Sequence, residues 1–352
     1  MKLTSFLKSV AVSISVFCAS VGWTQTTLPI RIGAATSADH APVFAAMEKG
    51  FFAKHGLDAK VIMYQSGVDM VNGMLGGAQE VSVMGSIPFL VGAGKGQPLI
   101  LIGTNHGDPV RPYYAASMSV VGRAGAGLKE GDLKSLAGKK IGLVRGAAGE
   151  GYMLGLLAGA GLKITDVTLV NLPPANQVTA LRQGDIDAMA AWEPWATTAA
   201  MRVSGAFRLI SGKDQPDACK SCFDPGTLLS TRADVANKAE VLKRFIVAYA
   251  EGQQWVRQNY DAAAEINMRW IPGVELDVMK VAIRRSPLDM RLSKLTVQGF
   301  NQNTMPSLVN DKRLEKAYDA ATVVDPQFTK HAEKTAPQFF SDLPQIPANA
   351  AF

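Results

Sequence analysis

Short apolar runs alternate with helix-period segments in two successive blocks of this chain, and this alternation restricts the fold more than any other feature. The apolar runs predict strands at 30–33, 58–64, 81–84, 140–144, 166–170 and 187–191. The helix-period segments between them predict helices at 42–55, 68–75, 152–160 and 177–182. Strands that alternate with helices build βαβ units, so the sequence predicts an α/β fold with largely parallel strands.

The two blocks match each other in order and spacing. Segments 75–88 and 181–194 have the same length, and each passes from a helix end through a Gly turn and a strand to a loop with Pro. Between the blocks, 111–120 is suited to an extended crossover. Two similar α/β lobes are therefore predicted.

The chain after Asp224 becomes helical. Helices are predicted at 238–260, 274–285 and 312–321, with one strand at 227–230. Because no new βαβ unit begins there, this part is expected to return to the first lobe. The predicted division is a first lobe of 25–115 plus 225–352 and a second lobe of 116–224.

The N-terminus has the order of a secretory signal. Lys2 and Lys8 precede an apolar stretch at 10–21, and a polar stretch follows it at 24–27. The apolar stretch is too short to span a bilayer comfortably. We therefore expect a signal peptide at about 1–24 and an exported periplasmic protein that is not an integral membrane protein.

The composition excludes several classes of protein. An apolar fraction of 47% over 352 residues is typical of a globular protein and excludes general disorder. The net charge of +6 is modest, and no Lys/Arg run is dense enough for a nucleic-acid or polybasic membrane surface. No nucleic-acid partner is expected.

Cys219 and Cys222 form a C-x-x-C pair. A redox site needs its cysteine at a helix N-terminus, whereas this pair runs into a turn sequence at 223–226. An oxidising compartment favours a disulfide. We predict a small structural disulfide between these two residues, with a redox site as the alternative.

Four segments together resemble one protein family. They are Met47-Glu48-Lys49-Gly50-Phe51-Phe52 and the stretches 132–142, 170–174 and 184–195. The chain from about 29 to 340 resembles the periplasmic solute-binding proteins of nitrate, sulfonate, taurine and thiamine-pyrimidine ABC importers. The resemblance implies a type II periplasmic-binding fold, in which two lobes joined by a hinge close over a ligand. It also implies a permease and an ATPase as partners.

The candidate ligand site consists of the loops that follow the predicted strands. In open α/β sheets, ligands bind beyond the carboxyl ends of the strands. The residues predicted there are Ser37, Asp39, His40, Ser66, Gly67, Gly85, Ser86, Ala147, Gly149, Glu150, Trp192 and Glu193. Gly and Ser also serve ordinary turns, but loops at matching positions of two lobes favour a binding cleft.

Glu150 bears on the charge of the ligand. A helix N-terminus attracts anions, and a carboxylate beside it competes for the same N–H groups. If Glu150 faces the cleft, the ligand is expected to be cationic, zwitterionic or rich in N–H donors. If Glu150 instead caps its own helix, the sulfonate class remains open.

The expected function is capture of a small organic nitrogen- or sulfur-containing solute by hinge closure, in a monomer without metal, cofactor or catalytic residues. One alternative is an enzyme acting on a pyrimidine-like substrate, for which His40 beside Asp39 is the best catalytic candidate. However, the four histidines lack metal-ligand spacing, and the loop at 146–151 lacks the dinucleotide pattern. A second alternative is a ligand-sensing lobe of a signalling system.

The disulfide can be tested by mass measurement. Alkylation of the exported protein without reductant should leave Cys219 and Cys222 unmodified, because a disulfide has no free thiol. The same treatment after reduction should add two alkyl groups and serves as the control. Two alkylated thiols without reductant would contradict the prediction.

Overall fold

The structure is a computed structural model that describes residues 27–110, 117–214 and 222–352. The strands are β1 (Leu28–Ala35), β2 (Leu57–Tyr64), β3 (Val81–Gly85), β4 (Leu99–Thr104), β5 (Met118–Gly122), β6 (Lys140–Leu143), β7 (Thr168–Asn171), β8 (Ala188–Trp192), β9 (Phe207–Ser211) and β10 (Gly226–Thr231). The α-helices are α1 (Ala41–Glu48), α2 (Phe51–Lys54), α3 (Gly67–Leu75), α4 (Ser86–Gly94), α5 (Ala148–Gly159), α6 (Pro174–Gln183), α7 (Trp195–Arg202), α8 (Arg232–Asn237), α9 (Ala239–Gln258), α10 (Tyr260–Trp270), α11 (Leu276–Ala282), α12 (Lys294–Gly299), α13 (Met305–Asn310) and α14 (Gln327–Thr335).

The strands form two five-stranded sheets with the same arrangement. The first sheet has the order β2-β1-β3-β10-β4, and the second has the order β7-β6-β8-β5-β9. In the first, β10 alone runs antiparallel to its neighbours, and in the second β5 does so. The remaining pairs are parallel. The predicted α/β architecture with largely parallel strands is confirmed.

β10 explains how the C-terminal part joins the first sheet. It inserts between β3 and β4, so the chain returns from the second sheet before the helical part begins. The strand predicted at 227–230 lies within it. Part of the predicted crossover at 111–120 lies outside the described residues, and its last residues begin β5.

The helix predicted at 312–321 is wrong. α13 ends at Asn310, and Lys312 has a left-handed backbone with φ of 58°. The N–H groups of Arg313 and Leu314 both donate to the Leu308 carbonyl, and Leu314 is buried in an apolar cluster under α4. Tertiary packing of Leu314 thus overrides the local helical pattern.

The long C-terminal helices cover the first sheet through aromatic contacts. Phe44 of α1 stacks on Trp270 of α10 with ring centroids 4.9 Å apart, and Phe52 stacks on Phe245 of α9 at 5.8 Å. Phe44 is fully buried. The helical part therefore shares one core with the first sheet, and Phe44 packs there. Within the described residues, no helix is long and apolar enough to cross a membrane.

A buried carboxylate connects β1, β3 and α9. Glu80 accepts hydrogen bonds from the Arg31 main-chain N–H at 2.7 Å, from the Arg31 guanidinium at 2.6 Å and from Lys238 at 3.0 Å. Burial alone raises the pKa of Glu80, but the bonds from Arg31 and Lys238 outweigh it and lower this pKa to about 2. The charged form is therefore the one that stabilises the fold.

This arrangement predicts a stability difference that depends on pH. A carboxyl with a depressed native pKa stabilises the fold above its ordinary pKa, and that contribution disappears as pH falls toward the native value. Glu80→Gln should lower the free energy of unfolding by about 1.5–3 kcal/mol at pH 7. Denaturant titrations from pH 7 to pH 2.5 should show this difference shrinking below pH 4.5.

The matched control is Glu130→Gln, at an exposed position. It should change the free energy of unfolding by less than about 0.5 kcal/mol at each pH. A Glu80→Gln difference that stays constant down to pH 2.5 would contradict the assignment.

Candidate functional site

A cavity of about 50 Å³ lies where the two sheets meet. Its walls come from both sheets, mainly from loops after the carboxyl ends of β1, β3, β6 and β8, the position at which α/β sheets bind ligands. Its lining comprises Ala35, Ser37, Asp39, His40, Met70, Met84, Gly85, His106, Ser117, Met118, Ala147, Ala148, Trp192 and Asp224.

Asp39 is the centre of a buried hydrogen-bond network beside the cavity. Its carboxylate accepts from Ser37 Oγ, from Asn105 Nδ2 at 2.6 Å and from His106 Nε2 at 3.2 Å. Tyr249 of α9 donates its hydroxyl to the same Asn105 side chain, and Gln253 donates to the Asn105 carbonyl at 2.6 Å. The loop after β1 is thereby fixed to the end of β4 and to α9.

The protonation of this network follows from its contacts. Burial by itself raises the pKa of Asp39, but His40, His106 and the Ser37 hydroxyl offset it, so the pKa lies below the ordinary value. Burial lowers the pKa of His40. His40 Nδ1 accepts the Ala35 N–H at 3.0 Å, so its proton is on Nε2. The structure thus places an ionised Asp39 beside a neutral His40.

Asp224 is the second carboxylate of the cavity. Its Oδ1 accepts the Ser86 N–H at 2.7 Å and the Ser86 hydroxyl at 2.6 Å, at the first residue of α4. Burial raises the pKa of Asp224 despite these bonds. Ser86, predicted as a ligand contact, positions this carboxylate.

His106 and Ser117 approach each other without forming a nucleophilic triad. His106 Nε2 lies 3.4 Å from Ser117 Oγ and 3.2 Å from Asp39 Oδ2, while Nδ1 accepts the Gly226 N–H at 3.4 Å. In a Ser–His–Asp triad, the carboxylate and the hydroxyl contact opposite nitrogens of the ring. Here both lie at the same nitrogen, so the geometry does not activate Ser117.

Direct hydrogen bonds join the two lobes at the rim of the cavity. The Thr36 carbonyl accepts from Trp192 Nε1 at 3.3 Å and from Trp195 Nε1 at 2.9 Å. The Ala38 N–H donates to the Glu193 carbonyl at 2.8 Å. The loop after β1 and the loop after β8 are therefore in contact in this structure.

Six of the twelve residues predicted for the site line the cavity: Ser37, Asp39, His40, Gly85, Ala147 and Trp192. The other six lie beside it with other contacts. Ser66 caps α3, and Ser86 donates to Asp224. Gly67 packs against Pro88, and Gly149 packs against β8. The remaining two are Glu150 and Glu193.

The two glutamates are neutralised by arginines. Glu193 is 1% exposed, and its carboxylate lies 3.0 Å from both Arg208 and Arg285 and accepts the Thr197 N–H in the first turn of α7. Glu150 lies 2.8 Å from Arg145 and accepts the Gly146 N–H at 2.8 Å. Neither carboxylate is on the cavity lining.

Sequence reasoning missed His106 and Asp224 as well as the three methionines of the wall. Asp224 stands in a Phe-Asp-Pro-Gly turn sequence, and His106 has no metal-ligand spacing, so neither carries a local signal. Only the insertion of β10 beside β3 and β4 brings these residues to the cavity.

A metal site and the predicted disulfide can be examined only in the part of the chain that the structure describes. In residues 27–110, 117–214 and 222–352, no group of three or more His, Cys, Asp or Glu side chains could hold a metal ion. Cys222 is disulfide-bonded. Cys219 lies outside the described residues, so the predicted pairing stays a prediction.

Residues 37–263 match the family model described as NMT1/THI5 like. A relative from Bacillus subtilis, named as an aliphatic sulfonates-binding protein, is 28% identical over 309 residues, which are 86% of this chain and 87% of that protein. The resemblance noted in the sequence is confirmed.

Two solved structures share the fold. The alkanesulfonate-binding protein SsuA from Xanthomonas axonopodis pv. citri, bound to MOPS, superposes with a TM-score of 0.72 at 19% identity, covering 85% of this chain and 99% of its own. The periplasmic nitrate-binding protein NrtA from Synechocystis PCC 6803 has a TM-score of 0.71 at 15% identity, covering 92% and 91%. The predicted periplasmic-binding fold is confirmed.

Gly149 provides a test of the packing behind the cavity. A Cβ on Gly149 would lie 2.8 Å from the Ala190 carbonyl oxygen of β8, too close for a rigid backbone atom. Gly149→Ala should lower the free energy of unfolding by about 1–3 kcal/mol, despite the better helix propensity of alanine. Thermal and denaturant unfolding measure this change.

The control is Gly76→Ala at the end of α3, where the nearest atom to a new Cβ is 3.4 Å away. It should stay within about 0.5 kcal/mol of the parent protein. Equal free energies of unfolding for the Gly149→Ala and Gly76→Ala variants would show that β8 can shift to accommodate the new methyl group without loss of stability.

Proposed function

The chain belongs to the NMT1/THI5-like family, and from this premise we propose that it is the solute-binding component of an ABC importer. Its ligand is a small organic nitrogen- or sulfur-containing solute held in the cavity between the lobes. The observation that carries the proposal is the cavity itself, because its wall is assembled from both sheets and is complete only when they meet.

The inter-lobe hydrogen bonds give the mechanism of capture. A ligand that contacts both walls gains those contacts only in the closed state, so it shifts the population toward closure by its differential affinity. The bonds from Trp192 and Trp195 to the Thr36 carbonyl form in the same state. Closure thus combines a few protein–protein bonds with the ligand contacts.

The relatives support the class of solute and the partners. Proteins of this fold are named as binding sulfonates or nitrate, and a further structural neighbour is titled the ligand binding component of an ABC-type import system. We propose a periplasmic monomer whose signal peptide ends near residue 24, with lobes formed by 25–115 plus 225–352 and by 116–224. A permease and an ATPase receive the closed form.

A binding role also fits the chemistry of the cavity better than an enzymatic one. The His106–Ser117 contact uses the nitrogen that faces Asp39, and neighbouring carboxylates are either hydrogen-bonded or paired with arginine. An importer releases its solute unchanged, whereas an enzyme on the same fold would convert it. Recovery of an intact small molecule from purified protein distinguishes the two.

Closure can be tested with the solute that co-purifies with the protein. Small-angle scattering should show a smaller radius of gyration when this solute is added back to stripped protein. Trp195→Phe removes one inter-lobe hydrogen bond and should weaken binding about 5-fold, the effect of roughly 1 kcal/mol. Calorimetry measures the affinity.

Trp270→Phe is the matched control, because Trp270 donates to Glu48 at 2.9 Å beside the first sheet and, within the described part of the chain, has no hydrogen bond to the second lobe. It should leave the affinity unchanged. An unchanged radius with saturating solute, or equal weakening by both variants, would contradict closure.

A further inference from the structure

One oxygen of Asp224 is available to a ligand. Asp224 is 6% exposed and lines the cavity, and its Oδ1 is occupied by the two donors of Ser86. Its Oδ2 has no hydrogen-bond donor among the described residues. Asp224 Oδ2 is not among the fully buried side-chain atoms that lack a partner, so it remains accessible and can accept a hydrogen bond from a ligand.

His40 offers the complementary group. It is 3% exposed and lines the same cavity, and its Nδ1 is occupied by the Ala35 N–H. Its Nε2–H has no acceptor among the described residues. The cavity therefore presents an unpaired acceptor at Asp224 and an unpaired donor at His40.

Two of the helices that begin at the cavity wall, α4 and α5, have a carboxylate in or at their first turn. Asp224 accepts the first N–H of α4, and Glu150 stands in the first turn of α5, where it accepts the Gly146 N–H. The positive end of a helix is the usual place for an anionic ligand. Asp224 occupies the first N–H of α4, and the Glu150 carboxylate lies in the first turn of α5 without bonding any described N–H group of that helix, so an anion at α4 would meet negative charge.

The arginines near the cavity do not make its lining positive. The described lining residues include no Arg or Lys. Arg208 and Arg285 pair with Glu193. Arg145 and Arg313 lie 2.8 Å and 3.7 Å from the Glu150 carboxylate. The apolar part of the wall includes Met70, Met84, Met118 and Trp192, whose thioethers and indole suit the carbon skeleton of an organic molecule.

We propose that the solute is a small organic cation, an ammonium or amidinium compound whose N–H donates to Asp224 Oδ2 and whose own oxygen or nitrogen acceptor receives His40 Nε2–H. This inference rests on the proposed function and names the solute class of the same cavity. A charge-assisted hydrogen bond of this kind is among the stronger polar contacts in proteins.

Binding of such a cation depends on pH. The pKa of Asp224 is raised by burial, and the charged groups around it include Asp39, His106 and Arg313, with Asp311 on a small pocket that Asp224 also lines. Protonation of Asp224 removes the charge that the cation needs. The affinity should therefore fall as pH is lowered, and protonation of His40 would add positive charge that acts in the same direction.

A probe set tests the sign of the charge. The purified exported protein is screened by thermal shift at pH 7.5 against ethanolamine, glycinamide, benzamidine and 4-hydroxybenzylamine, and against methanesulfonate, ethanesulfonate, benzenesulfonate and nitrate. At least one cation should raise the melting temperature, because ligands that bind only the folded state stabilise it. The four anions should not.

Variants then assign the effect to Asp224. Asp224→Asn should weaken the best cation at least 10-fold by calorimetry. Glu333→Gln is the control, a half-buried carboxyl of α14 that does not line the cavity and whose pKa is also raised by burial, and it should change the affinity less than 3-fold. The parent protein should lose at least 3-fold in affinity between pH 7.5 and pH 5, which tests the charge requirement without any substitution.

The outcomes separate this inference from the importer proposal. Stabilisation and compaction by sulfonates or nitrate, with no response to any cation, would overturn the cation assignment and leave solute capture intact. Equal cation affinity in Asp224→Asn would also overturn it. If no probe binds and no solute co-purifies, the proposed function fails, and the inference fails with it.

Discussion

The buried carboxylate of Asp39 is the interaction on which the site depends. It joins the loop after β1 to Asn105 and His106 at the end of β4, and through Asn105 to Tyr249 of α9. A buried charge of this kind is tolerated only when several donors surround it. Because those donors come from distant segments, the network fixes the floor of the cavity before any ligand arrives.

The other carboxylates near the inter-lobe contact are likewise surrounded by donors or cations. Glu193 and Glu150 are paired with arginines and accept main-chain N–H groups, from α7 and from the loop before α5 respectively, so their charges are compensated within the protein. Asp224, which lines the cavity, differs, since two donors of Ser86 satisfy one oxygen and the other has no donor among the described residues. The charges of Glu150 and Glu193 are paired with arginines, whereas one oxygen of Asp224 is not hydrogen-bonded to any described residue. This difference is what favours a cationic solute.

Sequence patterns located the loops of the site but not the direction of every side chain. The rule that ligands bind beyond the carboxyl ends of strands placed Ser37, Asp39, His40, Gly85, Ala147 and Trp192 on loops that line the cavity. It could not tell that Glu193 turns toward Arg208 and Arg285, because those partners lie 15 and 92 residues away. Nor could it identify Asp224, whose role depends on Ser86 at a separation of 138 residues.

The sequence alone determined the α/β class, the two matching blocks and most strands and helices, because these follow from local periodicity of apolar residues and from turn chemistry. Only the tertiary structure decided that residues 312–321 do not form a helix, that β10 enters the first sheet beside β3, and which carboxylates face the cavity. Those outcomes depend on packing and hydrogen bonds between residues far apart in the chain, and no local pattern records such partners.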